Sequence, residues 1–390
     1  MEIKRDIIDD FRKWRFAPMH KPILLLGARQ VGKTWAMLTF GREFDYCVKF
    51  DFNRQPSLKA AFLDSKSPEK IIKQLQLYSD QPITAGHTLV IFDEIQECEE
   101  ALNSLKYFSE EAPHLHIIAA GSLFGVAVKH RKMTVPVGKV SVMRMYSITF
   151  REFLQVSAPR ISEYINDMAG IEHLPVVVLN RLNSEYQRYQ VSGGMPEAVT
   201  ALLSGNGMAI VENALQDILD LYELDFARYA TATEIPRIHA IWHSLPSQLA
   251  KENRKFIYNV VRASARSKDY EDALMWLEDA GLIYRIYKIS KPGMPISAYA
   301  DPSAFKVYAC DCGLLRQLAR IPASVILNPI AGYTEFKGAM AEINATRLSL
   351  INKLIAQHPC YPGVLCDIFQ STPSENRTLI LGLGNPRSIR

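Results

Sequence analysis

The chain reads as an α/β protein built on a doubly wound parallel sheet, and three observations predict it. An apolar run, Ile23–Leu26, leads into a glycine-rich turn and then a helical pattern. A second apolar run, Thr88–Asp93, ends in carboxylates, and a third, residues 116–121, ends at Ser122. Strands that are apolar almost without interruption suit a parallel sheet covered on both faces. Their alternation with helical patterns gives βαβ units.

The turn after the first strand is Gly27-Ala28-Arg29-Gln30-Val31-Gly32-Lys33-Thr34. Its spacing, G-x-x-x-x-G-K-[ST], is that of a P-loop, where tight glycine turns aim successive N–H groups at a phosphate chain. The helix that starts there adds its partial positive charge. Lys33 is expected to reach the β- and γ-phosphates of ATP, and the Thr34 hydroxyl to ligate Mg²⁺. At the end of the second strand, Asp93 is expected to hold Mg²⁺ and Glu94 to act as general base toward water. Ser122 is the candidate that senses the γ-phosphate or orients the water.

Composition agrees with this reading. The 390 residues allow two or three domains, and 22% charged with 48% apolar residues is ordinary for a globular protein. A net charge of +4 is too small to argue for nucleic acid or a membrane surface. No apolar run approaches the roughly 18 residues of a membrane span, and the charged start is no signal peptide, so a cytoplasmic protein without membrane contact is expected. Six scattered cysteines, with no C-x-x-C pair, fit reduced thiols. His239 and His243, four apart, can share a helix face. No glutamate completes an H-E-x-x-H pattern, so both are read as packing residues.

The order of patterns divides the chain into four parts. Residues 1–155 form the nucleotide-binding core: a leading helix with Phe11 and Trp14, strands at 23–26, 46–52, 88–93 and 116–121, and a helix over 69–78. Residues 156–235 read as a helical lid or linker, broken by a turn at Gly193-Gly194-Met195-Pro196 where a helix can start at its proline. Residues 236–325 show three helical patterns and two strand-like runs, the layout of a winged helix. Residues 326–390 diverge into a tail. Lys251, Arg254, Lys255, Arg262, Arg266 and Lys268 thicken the positive charge near the third helical pattern. That helix itself carries Asp269, Glu271, Asp272, Glu278 and Asp279, with Tyr270, Ala273, Leu274 and Leu277 as an inward stripe. Five carboxylates would be repelled by phosphates, so DNA binding is not favoured.

Together these motifs resemble the prokaryotic AAA-like P-loop ATPases that carry a C-terminal domain of unknown function, DUF4143. The resemblance rests on Gly-Ala-Arg-Gln-Val-Gly-Lys-Thr, Phe-Asp-Glu-Ile-Gln-Glu, Ala-Gly-Ser-Leu, Thr-Phe-Arg-Glu-Phe-Leu, Gly-Gly-Met-Pro-Glu-Ala-Val and Tyr-Ala-Cys-Asp-Cys-Gly-Leu-Leu, in that order over roughly residues 1–345. It implies ATP as substrate, a lid and winged-helix region, and a restriction-endonuclease-like module at the end. Glu335 to Glu342 resembles the first helix of that module. After Glu342, however, no Glu-x-Asp strand follows, so a truncated or frameshifted remnant without nuclease activity is expected.

The expected protein is therefore a Mg²⁺-dependent ATPase that couples nucleotide state to an unknown protein partner, with a homo-oligomer possible. ATP is favoured over GTP because Asn-Lys-x-Asp is absent; the Asn352-Lys353 pair continues Leu354-Ile355. The alternatives are a non-hydrolysing nucleotide-dependent scaffold or switch, and an ATPase associated with DNA. Arg131 and Arg144 are the candidates for an arginine that offsets charge at the γ-phosphate.

Overall fold

A computed structural model describes residues 2–126, 133–168, 174–250, 255–290, 296–328, 338, 340 and 342–344. Arg131, Lys251, Arg254, residues 335–337, Asn352, Lys353 and nearly all of the expected nuclease-like remnant lie outside the described residues. By internal contacts the chain forms two units. One holds Lys4–Tyr146 with Asp279–Gly281; the other holds Ser147–Glu278, the described residues from Leu282 on, and the N-terminal residues through Ile3.

The first unit is the expected α/β layer structure. Its strands are β1 (Ile23–Leu26), β2 (Tyr46–Asp51), β3 (Thr88–Asp93), β4 (His116–Ala120) and β5 (Ser141–Arg144). They form one parallel sheet in the order β2-β3-β4-β1-β5. The helices are α1 (Ile7–Arg15), α2 (Lys33–Gly41), α3 (Ala60–Leu63), α4 (Pro68–Leu75) and α5 (Glu99–Glu111). Helices cover both faces, which is why β3 is buried at every position. Leu24, Val90, Phe92 and Ile117 point to one side, into a core with Phe62, Ile71, Leu105 and Phe108 of α3, α4 and α5. On the other side, Phe11 of α1 packs on Phe40 of α2, and Trp14 and Phe44 pack on His116 of β4. Each buried Phe adds about 1.5–3 kcal/mol of transfer free energy.

Several elements depart from the expected ones. The helix expected over 69–78 starts at Pro68 and tightens into a 3₁₀ turn at Gln76–Tyr78. β5 was not foreseen: its side chains alternate between half-buried and exposed, so it lacks the apolar run that marked the other strands.

In the second unit, α6 (Phe150–Ser157) begins at a capping box. Glu152 N–H donates to the Thr149 hydroxyl at 3.2 Å, and Thr149 N–H donates to the Glu152 carboxylate at 2.7 Å. There follow α7 (Pro159–Asn166), α8 (Val176–Ser192), α9 (Pro196–Leu203), α10 (Met208–Tyr229), α11 (Ile235–Leu249), α12 (Tyr258–Val261), α13 (Ser267–Asp279), β6 (Ile283–Ile289), β7 (Ala300–Ala309), α14 (Cys312–Leu318) and α15 (Ala323–Leu327). Pro196 sits in the first turn of α9. Asp311 knits distant segments of this unit together. Its Oδ1 caps α14 through the N–H groups of Gly313 and Leu314, while Oδ2 accepts from Ser147 Oγ at 2.7 Å and Gly194 N at 2.8 Å. The Gly194 carbonyl accepts a hydrogen bond from Ile148 N–H, and the two backbones lie so close that a Cβ at 194 would collide with the Ile148 carbonyl.

α11, α12 and α13 precede the antiparallel pair β6–β7. The inward stripe of α13, Tyr270, Ala273, Leu274 and Leu277, is buried as expected, with Trp276 added. The five carboxylates of α13 are not equivalent. Glu271 and Glu278 both pair with Arg285 of β6, so two of them are compensated inside the unit. Glu342 accepts hydrogen bonds from Tyr308 Oη at 2.7 Å and Lys306 Nζ at 3.4 Å.

Candidate functional site

The site assembles where β1, β3 and β4 end at the same edge of the sheet. Gly32, at φ 94°, takes the left-handed turn that lets α2 begin at Lys33, a conformation that glycine reaches without steric cost. Around the turn, Gln30 is also left-handed. From the N-terminal segment, the buried Arg5 donates to the Val31 carbonyl at 3.0 Å and to the Tyr146 carbonyl at 2.6 Å, tying the loop to the chain after β5. Lys33 curls back so that Nζ donates to the carbonyls of Gly27 at 2.9 Å and Ala28 at 2.8 Å. Burial pulls its ammonium down to about 8, against the opposing pull of Glu94 and Asp93. Arg29 lowers it further.

The Thr34 hydroxyl donates to Asp93 Oδ2 at 2.9 Å, so the two expected Mg²⁺ ligands meet. β2 and β3 run parallel in register, which places Asp51 beside Asp93 at the strand ends. Lys49 Nζ lies between them, 3.0 Å from Asp93 Oδ2 and 3.5 Å from Asp51 Oδ2. A hydroxyl and carboxylates are hard oxygen donors of the kind Mg²⁺ takes, and the ammonium already sits there as a cation. This donor set fits the ion.

Glu94 adopts the left-handed backbone, φ 53° and ψ 46°, a conformation that costs a non-glycine residue about 1 kcal/mol or more. The turn swings its carboxylate toward β4. There Ser122 Oγ donates to Oε2 at 3.0 Å, and Gln96 Nε2 donates to the same oxygen. The sheet therefore brings together Glu94 and Ser122, which lie on different strand ends. Of the two arginine candidates, Arg144 is exposed at the end of β5, paired in register with Leu26, and Arg131 lies outside the described residues.

Reading the sequence missed Arg5, Lys49, Asp51 and Gln96. The signal for Lys49 and Asp51 is positional: in a parallel sheet, the end of the strand beside Asp93 lies at the same site. Nothing in the text marks Arg5, and Gln96, though it falls within Phe-Asp-Glu-Ile-Gln-Glu, carries no signal of a role at Glu94.

Residues 19–154 match the family model described as AAA domain. Residues 183–325 match a domain of unknown function, DUF8612, rather than the DUF4143 toward which the motifs pointed. No curated protein matches the chain. Solved structures of similar fold include the Walker-type ATPase PABY2304 of Pyrococcus abyssi, at 15% identity and a TM-score of 0.48, covering 82% of this chain and 96% of that one. The ORC2 protein of Aeropyrum pernix in its ADP form aligns at 12% identity and a TM-score of 0.34, covering 89% and 95%. The ORC1 protein of Aeropyrum pernix in complex with DNA aligns at 12% and 0.29, covering 84% and 95%. Among the described residues, no helix is long and apolar enough to cross a membrane.

Proposed function

We propose that the chain binds ATP at the P-loop and hydrolyses it to ADP and phosphate in a Mg²⁺-dependent reaction. The observation that carries this reading is the pairing of Thr34 with Asp93 beside a Glu94 carboxylate aimed by Ser122 and Gln96. The loop N–H groups and the start of α2 would hold the phosphate chain. Lys33 would exchange its bonds to the Gly27 and Ala28 carbonyls for β- and γ-phosphate oxygens. Thr34 and Asp93 would hold Mg²⁺, which when bound neutralises phosphate charge. Glu94 would accept the proton of the water that attacks the γ-phosphorus, while ADP departs as the leaving group. Ser122 and Gln96 would position Glu94 rather than touch phosphate.

In this reading residues 1–155 are the ATPase domain, followed by a helical region at 156–235, a winged-helix-like domain at 236–325 and a nuclease-like remnant at 326–390. The DUF4143 resemblance rests on sequence motifs alone and adds no activity. Arg144 would reach the γ-phosphate of a second copy, the protein is cytoplasmic, and its partner is a protein.

The test is a pair of variants assayed for binding and turnover separately. Lys33→Ala should weaken ATP affinity or turnover by about tenfold or more, ~1.4 kcal/mol. Glu94→Gln should keep Mg·ATP binding and lose turnover. Equal binding without turnover in the parent chain would instead make the protein a nucleotide-dependent switch. Turnover stimulated by DNA in a salt-dependent way would place DNA among its partners.

A further inference from the structure

α10 and α11, within the second unit, bring three metal-ligating side chains to one point. His239 and His243 lie one turn apart on α11, with rings nearly parallel at 14° and centroids 6.0 Å apart. Glu223 of α10 reaches across to both. Its Oε1 is 3.2 Å from His243 Nε2, and its Oε2 is 3.8 Å from His239 Nδ1. Donor atoms from all three fall within 4.8 Å of one another. In a tetrahedral site with bonds of about 2.0–2.1 Å, neighbouring donors stand roughly 3.3 Å apart. One pair already meets that spacing at 3.2 Å, a second stands at 3.8 Å, and no donor in the group lies more than 4.8 Å from another.

The backbone under these groups is fixed. Tyr222 and Phe226 precede and follow Glu223 on α10, and both pack against Trp242 of α11, which is fully buried between the two histidines in sequence. Phe226 also presents its ring edge-on to His239 at 5.3 Å, restricting that imidazole. The donors themselves remain reachable: the side chains of Glu223, His239 and His243 are 34%, 31% and 54% exposed. Three protein donors held in place, with the fourth direction open to water, make a chelate with little ordering left to do.

We propose that Glu223, His239 and His243 form a binding site for a divalent transition-metal ion of the Zn²⁺ type, cross-linking α10 to α11. Two imidazoles and one carboxylate suit Zn²⁺ and Co²⁺ and are a poor set for Mg²⁺ or Ca²⁺, which take oxygen donors. The site is independent of the P-loop and of any nucleotide chemistry. A single H-x-x-x-H on a helix lacks the third donor, which here comes from sixteen residues upstream on another helix.

The test uses the metal-stripped full chain, titrated with Zn²⁺ by calorimetry and with Co²⁺ by visible absorption. The parent should take up one equivalent that raises the unfolding temperature and, with Co²⁺, gives a tetrahedral visible band. His243→Ala and the near-isosteric Glu223→Gln should each weaken that binding at least about tenfold and remove the thermal shift and the band. ATP turnover should be unchanged in both. Both side chains are partly exposed, and circular dichroism of the metal-free variants checks that the fold is kept. A parent that binds no stoichiometric Zn²⁺, or variants that keep the equivalent and the Co²⁺ band, would overturn the site. In either case the triad is only a set of imidazole–carboxylate contacts between two helices.

Discussion

Lys49 Nζ stands 3.0 Å from Asp93 Oδ2, the oxygen that also accepts the Thr34 hydroxyl. A side-chain ammonium thus sits on the carboxylate proposed to hold Mg²⁺, and the two cations must compete. Lys49→Met should lower the Mg²⁺ concentration for half-maximal turnover roughly fivefold, ~1 kcal/mol, the scale of a partly screened pair. A magnesium titration of turnover decides it. A rise in the required Mg²⁺ would mean that Lys49 supports the site instead.

Ser122 and Gln96 share one oxygen of Glu94. Removing either donor frees a carboxylate that its left-handed backbone has already turned toward β4. Ser122→Ala and Gln96→Ala should each lower kcat about tenfold, less than Glu94→Gln, where general-base loss costs about 10²-fold or more. ATP affinity should stay within about twofold. Steady-state kinetics beside equilibrium nucleotide binding makes the comparison. An affinity loss equal to the kcat loss would show that these side chains contact the nucleotide directly.

Asp311 is fully buried and supports four donors. Asp311→Ala would strand the N–H groups of Gly194, Gly313 and Leu314 and the Ser147 hydroxyl without water. The expected loss is about 2–4 kcal/mol, because each unsatisfied buried group costs about 1–3 kcal/mol and some will relax. Chemical denaturation of parent and variant measures it. A midpoint shift under about 0.5 kcal/mol would make this carboxylate dispensable.

Burial, and then the neighbouring His20, pull His116 from its ordinary 6.5 down to about 4. The unfolded chain therefore binds this proton more tightly than the fold does. Its contribution to stability is complete above about pH 6.5 and is lost as pH falls toward 4. His116→Phe should flatten the decline of stability over that window, read from urea midpoints at several pH values. An unchanged slope would show that His116 titrates normally in the fold.

The sheet was legible because β1, β3 and β4 are buried on both faces and advertise themselves as apolar runs. β5, half exposed at the edge, carries no such run. The P-loop, Asp93 and Glu94 were legible as local patterns, since their spacing along the chain is what the loop and strand end demand. Lys49 and Asp51 join the site only through strand register, a relationship that links residues far apart in the text, and Gln96 through a turn whose direction its neighbours do not announce. The histidine pair shows the same limit. His239 and His243 look like packing residues until α10 brings Glu223 against them.

The bonds to Asp311 also set an order on synthesis. All five strands of the parallel sheet have been synthesised once Arg144 is made, so that sheet can close early. Ser147 and Gly194 must wait for an acceptor that is translated 164 and 117 residues later. At about 5–20 residues per second, Gly194 waits on the order of ten seconds. The nascent second unit spends that interval without its central polar knot, with α8 and α9 already emerged and unable to settle. Chaperone engagement on ribosome-bound chains should therefore peak before residue 311 emerges and fall soon after.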